Sequence, residues 1–176
     1  MFESFIINDI HTLEESLKLR NSTFVLEQNI PAYISRDQID ANFIKCLSLK
    51  QEKCQMVDSS YVAIRLEKTG EIIGTGRVDA QSNCFKGGKW GCIKYIAVHK
   101  EYRNAEVGKL IIGKLEMEAM RLHPRLNGFY LNSHTFGTNF YERLGYVVHE
   151  EEMIKVAGTS FVLCEKSFPS VCGIHN

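Results

Sequence analysis

Hydrophobic positions change period several times along this chain, and each change marks an element. Phe2, Phe5, Ile6 and Ile7 make a short apolar run read as a strand over residues 2–7. From His11 to Leu26 the spacing becomes helical, with Leu13, Leu17, Arg20 and Phe24 on one stripe. Thr12 with Glu15 three residues on reads as its cap, and Pro31 stops it. Ile39, Phe43, Cys46 and Leu47 predict a second helix over 37–49, and the polar stretch 50–60 reads as a loop.

Strands dominate the middle. Residues 61–67 and 71–78 alternate or run apolar, with Lys68-Thr69-Gly70 supplying hairpin-turn chemistry between them. Residues 81–89 form a polar, glycine-containing loop, and 91–99 is a strongly apolar strand. The period then returns to 3.6 through Val107, Leu110, Ile111 and Leu115, predicting a helix over 105–121 ended by Pro124. A short strand follows at 128–132, then a short helix at 137–144 closed by Gly145. Two last strands, 146–154 and 159–166, flank Ala157-Gly158, and the tail from Phe168 reads as loose. Helices interleaved with strands imply a mixed α/β (α+β) domain, and 176 residues without a linker or repeat fit one such domain over 1–176.

Composition narrows the function classes. Lys+Arg and Asp+Glu each number 21, so the formal charge is zero; a nucleic-acid binder carries a basic excess and stripe, and none is visible. No apolar run reaches the length of a membrane span. None of the six cysteines forms a CxxC pair, which disfavours a zinc ribbon or a dithiol redox site, and no metal is expected. With no signal peptide read at Met1-Phe2-Glu3-Ser4, free thiols in a cytoplasmic setting are the expectation.

Two segments carry candidate chemistry. Tyr95-Ile96-Ala97-Val98 followed by Arg103-Asn104-Ala105-Glu106-Val107-Gly108-Lys109 is a strand, a tight turn and a helix start. A helix N-terminus offers unpaired N–H groups and partial positive charge, which suits a pyrophosphate. Arg103 and Lys109 add full charges, and Gly108 allows close backbone approach. An ordinary strand-to-helix connection with a solvated turn is the plain alternative. The second segment, Asn139-Phe140-Tyr141-Glu142-Arg143-Leu144-Gly145-Tyr146, sets Tyr141 on a different helix face from Phe140 and Leu144. A tyrosine simply packed in an amphipathic helix is the alternative there.

Together these segments resemble the GNAT superfamily of N-acetyltransferases: the first fits its Q/R-x-x-G-x-G/A loop at Arg103 and Gly108, the second its FYExxGF signature. Arg20-Asn21-Ser22-Thr23-Phe24-Val25-Leu26-Glu27-Gln28 further resembles the R-x-x-V-F-V-x-E-Q start of the ElaA-like branch. Glu106 departs from the pattern, replacing the inner glycine with a carboxylate that disfavours a pyrophosphate if it faces one. The resemblance implies a central, mostly antiparallel sheet of six or seven strands in which two parallel strands, about 93–99 and 128–132, splay apart to admit acetyl-CoA. Pantetheine would pair with the backbone of Ile96, Ala97 and Val98; residues 104–109 would cradle the pyrophosphate, and Asn139 and Tyr141 would border the cofactor.

In mechanism, the resemblance implies direct transfer of acetyl from acetyl-CoA to a primary amine in a ternary complex, with Tyr141 as general acid to the departing thiolate. The base is open between Glu27 and His134, with His99 a further candidate; a capping carboxylate and a polar strand end are the plain readings of the first two. Arg20 and Arg77 are candidates to hold an acidic group of the acceptor, with a structural ion pair of Arg77 to Asp79 or Glu27 as the alternative. A small-molecule amine, no nucleic acid, no membrane and a homodimer are the expected partners. An acyl-CoA-binding domain with a regulatory role and no catalysis is the rival reading, favoured by Glu106.

Overall fold

The structure is a computed structural model and describes residues 1–49, 58–82, 85–103 and 106–169. Seven strands form one sheet in the order β1-β2-β3-β4-β5-β7-β6. They are β1 Phe2–Ile6, β2 Ser59–Leu66, β3 Ile72–Ser82, β4 Lys89–Val98, β5 Gly128–His134, β6 Val147–Val156 and β7 Thr159–Ser167. Every neighbouring pair is antiparallel except β4 with β5. The helices are α1 Ile10–Asn21, α2 Gln38–Ser48, α3 Val107–Leu122 and the short α4 Thr138–Glu142.

Each face of the sheet buries its own apolar cluster. Val107, Ile111, Leu115 and Ala119 recur every four residues along α3 and are fully or almost fully buried. They pack with Ile64, Ile73, Val78 and Phe129. Two glycines on β3 let α3 lie close. A Cβ at Gly76 would sit 2.5 Å from Ile96 Cδ1 and 2.8 Å from Ile111 Cγ2, and one at Gly74 would sit 2.7 Å from Val107 Cγ1. On the other face Leu13 and Leu17 of α1 and Phe43 of α2 pack with Tyr61, Ala63 and Ala97.

Local chemistry sets the helix ends, and in two places differs from the expectation. The side chain of Asp9, not Thr12, caps α1, accepting from Thr12 N at 2.8 Å; the helix starts earlier because Asp9 is extended and its carboxylate reaches that orphan amide. The long first helix breaks at Asn21, and residues Ser22–Glu27 continue as a π-helical turn that re-aims the segment toward β4. Asp37 caps α2 in a reciprocal box with Asp40. The hairpin at 68–70 forms, with Gly70 at φ 75. Most of the loop at 50–60 and the last residues of the tail lie outside the described residues.

Cys92 and Cys164 are buried free thiols, whereas Cys46 is disulfide-bonded, contrary to the expectation of free thiols throughout. Among the described residues no helix is long and apolar enough to cross a membrane.

Candidate active site

The parallel pair β4–β5 is joined only where Gly91 meets Phe129 and Cys92 meets Tyr130. Beyond that point the two strands separate, and a cleft of about 950 Å³ opens between them. The edge of β4 that faces it follows from hydrogen-bond alternation. His99 N donates to Ile73 O at 2.8 Å, so residue 99 faces β3. Val98 therefore faces the other way, and its carbonyl accepts from Arg103 Nε at 3.1 Å. Ile96, two residues back, shares that direction. The backbone of Ile96 and Val98 on this side has no strand partner among the described residues and turns to the cleft, the Val98 carbonyl being held by Arg103, while the Ala97 side chain is fully buried in the α1-side core.

At one end of the cleft stands the start of α3. Its first internal hydrogen bond among the described residues runs from Leu110 N to Glu106 O at 3.0 Å, which leaves the amides of Val107, Gly108 and Lys109 without a helical partner among those residues. Gly108 lines the cleft, and a Cβ there would lie 3.0 Å from Phe140 Cζ on the facing wall. Arg103, Lys109 and Arg143 also line the cleft, together with the Glu106 carboxylate. Bare amides, cations and a wall with no room for a side chain suit a pyrophosphate.

Across the strands lie two groups able to move protons. Tyr141 lines the cleft from α4, and burial, then the proximity of Cys164, raises its hydroxyl above the usual tyrosine range, keeping it a proton donor at neutral pH. His134, at the end of β5, lies between the rings of Phe136 and Phe161, with centroids at 4.9 Å and 4.4 Å. Burial lowers its pKa from 6.5, so it is neutral at physiological pH. Nε2 is 3.1 Å from Gln28 Oε1; if Nε2–H donates there, the lone pair resides on Nδ1, which is enclosed and has no hydrogen-bond partner among the described residues.

Against this geometry stand the comparisons with known proteins. Residues 23–168 match the family described as "Acetyltransferase (GNAT) domain". The chain belongs to the GNAT acetyltransferase family. Membership supports acyl transfer from a CoA-based donor. Among curated proteins, the uncharacterized N-acetyltransferase YjcF of Bacillus subtilis is 29% identical over 156 residues, 89% of this chain and 93% of that one. The uncharacterized protein YyaT of the same organism is 28% identical over 143 residues, 81% of each chain. Among solved structures, Escherichia coli ElaA superposes with a TM-score of 0.72 at 19% identity, over 95% of this chain and 100% of that one. A Lactobacillus plantarum structure described as a "putative N-acetyltransferase" gives 0.71 at 19%, over 94% and 97%. These structural likenesses establish the GNAT fold.

The other residues expected at a GNAT site divide into those the cleft gathers and those it does not. Val107 is wholly buried and can offer only its amide; Asn139 is exposed on α4 and outside the cleft lining. Asn104 and Ala105 lie outside the described residues. Glu106 has φ 61, the left-handed conformation for which the family pattern carries glycine, and its side chain is 75% exposed, 3.5 Å from Lys109. Glu27 does not line the cleft; it forms an ion pair with Arg103 at 2.6 Å, tying the π-helical turn to the loop before α3. His99 accepts from Glu101 N at 3.4 Å in the turn after β4 and is also outside the lining.

Arg20 and Arg77, expected beside an acidic acceptor, sit in the core instead. Arg77 is wholly buried; Nη1 donates to Asp37 at 2.8 Å and Asp40 at 2.9 Å, and Nη2 to Asp79 at 2.8 Å. Arg20 is 4% exposed and paired with Asp40. Burial alone would raise the Asp37 carboxyl, but the Arg77 hydrogen bonds and charge overcome it and hold it well below the ordinary carboxylate range. Neither guanidinium lines the cleft, so neither is carried forward as an acceptor contact. The sequence did not point to Thr23, Phe24, Lys94 or Phe161 as cleft residues, and it singled out the segment of Tyr95 without giving that residue a role; all five line the cleft. Phe24 and Thr23 fall within the ElaA-like segment, a signal that was available, whereas Lys94 and Phe161 carry none. His149, Glu151 and Glu152 bring ligand atoms within 4.8 Å of one another on exposed β6, outside this cleft.

Proposed function

We propose that this protein transfers the acetyl group of acetyl-CoA to a primary amine of a small molecule, by direct transfer in a ternary complex. The observation that carries the reading is the edge of β4 at Ile96 and Val98, which no strand completes among the described residues, in a cleft also lined by the start of α3, Tyr141 and His134. Pantetheine amides would complete that edge as a strand would. The pyrophosphate would take the amides of Val107, Gly108 and Lys109, with Arg103 and Lys109 as counter-charges. An N–H on the β4 edge would stabilise the oxygen that becomes negative as the amine attacks.

The amine attacks the thioester carbonyl carbon through its lone pair, and its surplus proton passes, directly or through one water, to His134 Nε2, which must first part from Gln28 Oε1 because Nδ1 is enclosed. Collapse of the tetrahedral intermediate breaks the C–S bond, and the thiolate takes the proton of the Tyr141 hydroxyl. Of the two base candidates, His134 is favoured because Glu27 is engaged with Arg103 and stands outside the lining. Phe24, Ile30, Ile34 and Phe161 on the α1 side favour an acceptor with an apolar body. A cytoplasmic location accords with this donor. The regulatory alternative draws on the strained Glu106 and on the engagement of Arg103 by Glu27.

Calorimetry with acetyl-CoA on the wild type and Gly108→Asp is the deciding experiment. Micromolar binding that the substitution weakens at least 100-fold, followed by thiol release over an amine panel that Tyr141→Phe cuts at least tenfold, is the expected result. Absence of binding to the wild type overturns the enzyme reading. Binding without transfer to any amine supports the regulatory one.

A further inference from the structure

We propose that the buried Arg20–Asp40–Arg77–Asp37 cluster braces the ring of Tyr95, and that Tyr95 thereby acts as a positioning residue deciding which backbone groups of β4 face the cleft. The proposal rests on the acetyl-transfer reading only for its catalytic consequence.

Tyr95 is the strained point of β4. Its φ is 57, a left-handed conformation that a tyrosine keeps only where its surroundings hold it. The register shows why the strand needs it. Lys94 pairs with Arg77 and Ala97 with Thr75, so two residues, Tyr95 and Ile96, stand opposite Gly76 alone. This is a β-bulge. Without the extra residue Ile96 would pair with Thr75 and Val98 with Ile73. The groups now turned to the cleft would turn to β3 and the alternate set would take their place, because a slip of one residue reverses every direction along the strand.

What holds the bulge is visible around the ring. Arg20 Cζ lies 3.8 Å from the Tyr95 ring centroid and Arg77 Cζ 5.0 Å. The Tyr95 hydroxyl donates to Asp37 Oδ2 at 3.3 Å. Both guanidiniums are themselves fixed, Arg20 by Asp40 and Arg77 by Asp37, Asp40 and Asp79. Tyr61 adds a hydroxyl bond to Asp40 at 2.8 Å. The acids come from the start of α2 and from β3, and the cations from α1 and β3, so the cluster ties both helices to the bulge.

The test is hydrogen exchange of the ligand-free full chain, followed by turnover. Tyr95→Phe keeps the ring and should leave protection of residues 93–99 as in the wild type. Tyr95→Gly and Tyr95→Asn both tolerate positive φ but remove the ring. Each should speed exchange of residues 93–99 at least tenfold while leaving β1 and β2 unchanged, and the second variant decides if the first does not fold. Unchanged exchange at 93–99, or an equal rise across the whole sheet, overturns the proposal and leaves the cluster a core stabiliser only. With a responsive amine, kcat/KM for acetyl-CoA should fall at least tenfold in the ring-less variants; retention within threefold overturns the catalytic consequence. If the wild type turns over no amine, the transferase reading fails, while the exchange measurement still judges the brace.

Discussion

His134, the proposed base, shows how surroundings set the chemistry of a single position. Two aromatic rings and the strand end desolvate the imidazole and lower its pKa, so the neutral form extends to more acidic pH than for a free histidine. A base must be neutral to act, so activity should rise with pH through a midpoint below 6.5 and then level off, until the amine's own ionisation intervenes. His134→Gln should lower kcat by 10- to 1,000-fold and abolish that acid limb; a limb that survives the substitution would assign it to another group. Glu106 is the second instructive residue. Its left-handed backbone costs about 1 kcal/mol relative to glycine, offset in part by the extra freedom glycine gains when unfolded. Its carboxylate, beside Lys109, cancels charge at the donor site. Glu106→Gly should therefore leave stability within about 1 kcal/mol and tighten acetyl-CoA binding two- to tenfold, as measured by calorimetry.

At the scale of elements, the approach of α3 to the sheet depends on β3 having no side chain at Gly76. An alanine there would drive its Cβ into Ile96 and Ile111. Gly76→Ala should cost about 1–3 kcal/mol by overpacking, lowering Tm by about 2–12 °C in a thermal melt. The elements were largely legible in the sequence, because apolar periodicity reports burial directly: the 107–115 stripe predicted α3, and Gly145 the end of α4's turn. What was not legible shares a cause. The π-helical turn at Ser22–Glu27 and the bulge at Tyr95 arise from long-range packing, and neither leaves a periodic trace in its own residues. Arg20 and Arg77 were misplaced for the same reason. An arginine on a strand or helix reads as available until its acids, here contributed from residues 37, 40 and 79, are seen to enclose it. Of the residues that family signatures cover, Arg103, Gly108 and Tyr141 line the cleft, whereas the acceptor side, shaped by residues such as Phe24 and Phe161, carries no periodic trace of its own.

For the whole molecule, the sheet is two half-sheets, β1-β2-β3-β4 and β5-β7-β6, joined by hydrogen bonds at Gly91–Phe129 and Cys92–Tyr130. A donor lying in the opening would bridge them. Saturating acetyl-CoA, at 100 times its Kd, adds about 2.7 kcal/mol, so Tm should rise by about 5–11 °C in differential scanning calorimetry. Exchange should slow on both lips of the opening, residues 93–98 and 131–134. A melt unaffected by the donor would contradict this.

The exposed edge of β4 also bears on ancestry. What it offers is main chain, and every amino acid carries the same main chain. Mutation can therefore rewrite the residues along that strand while the partner of the edge meets unchanged N–H and C=O groups, provided the bulge keeps its place. The same fold is compatible with under a fifth of positions in agreement, as in Escherichia coli ElaA at 19%. On the proposed reading, the positions least free to change are those where a Cβ would meet a close neighbour, at Gly76 and Gly108, and the hydroxyl-bearing ring of Tyr141.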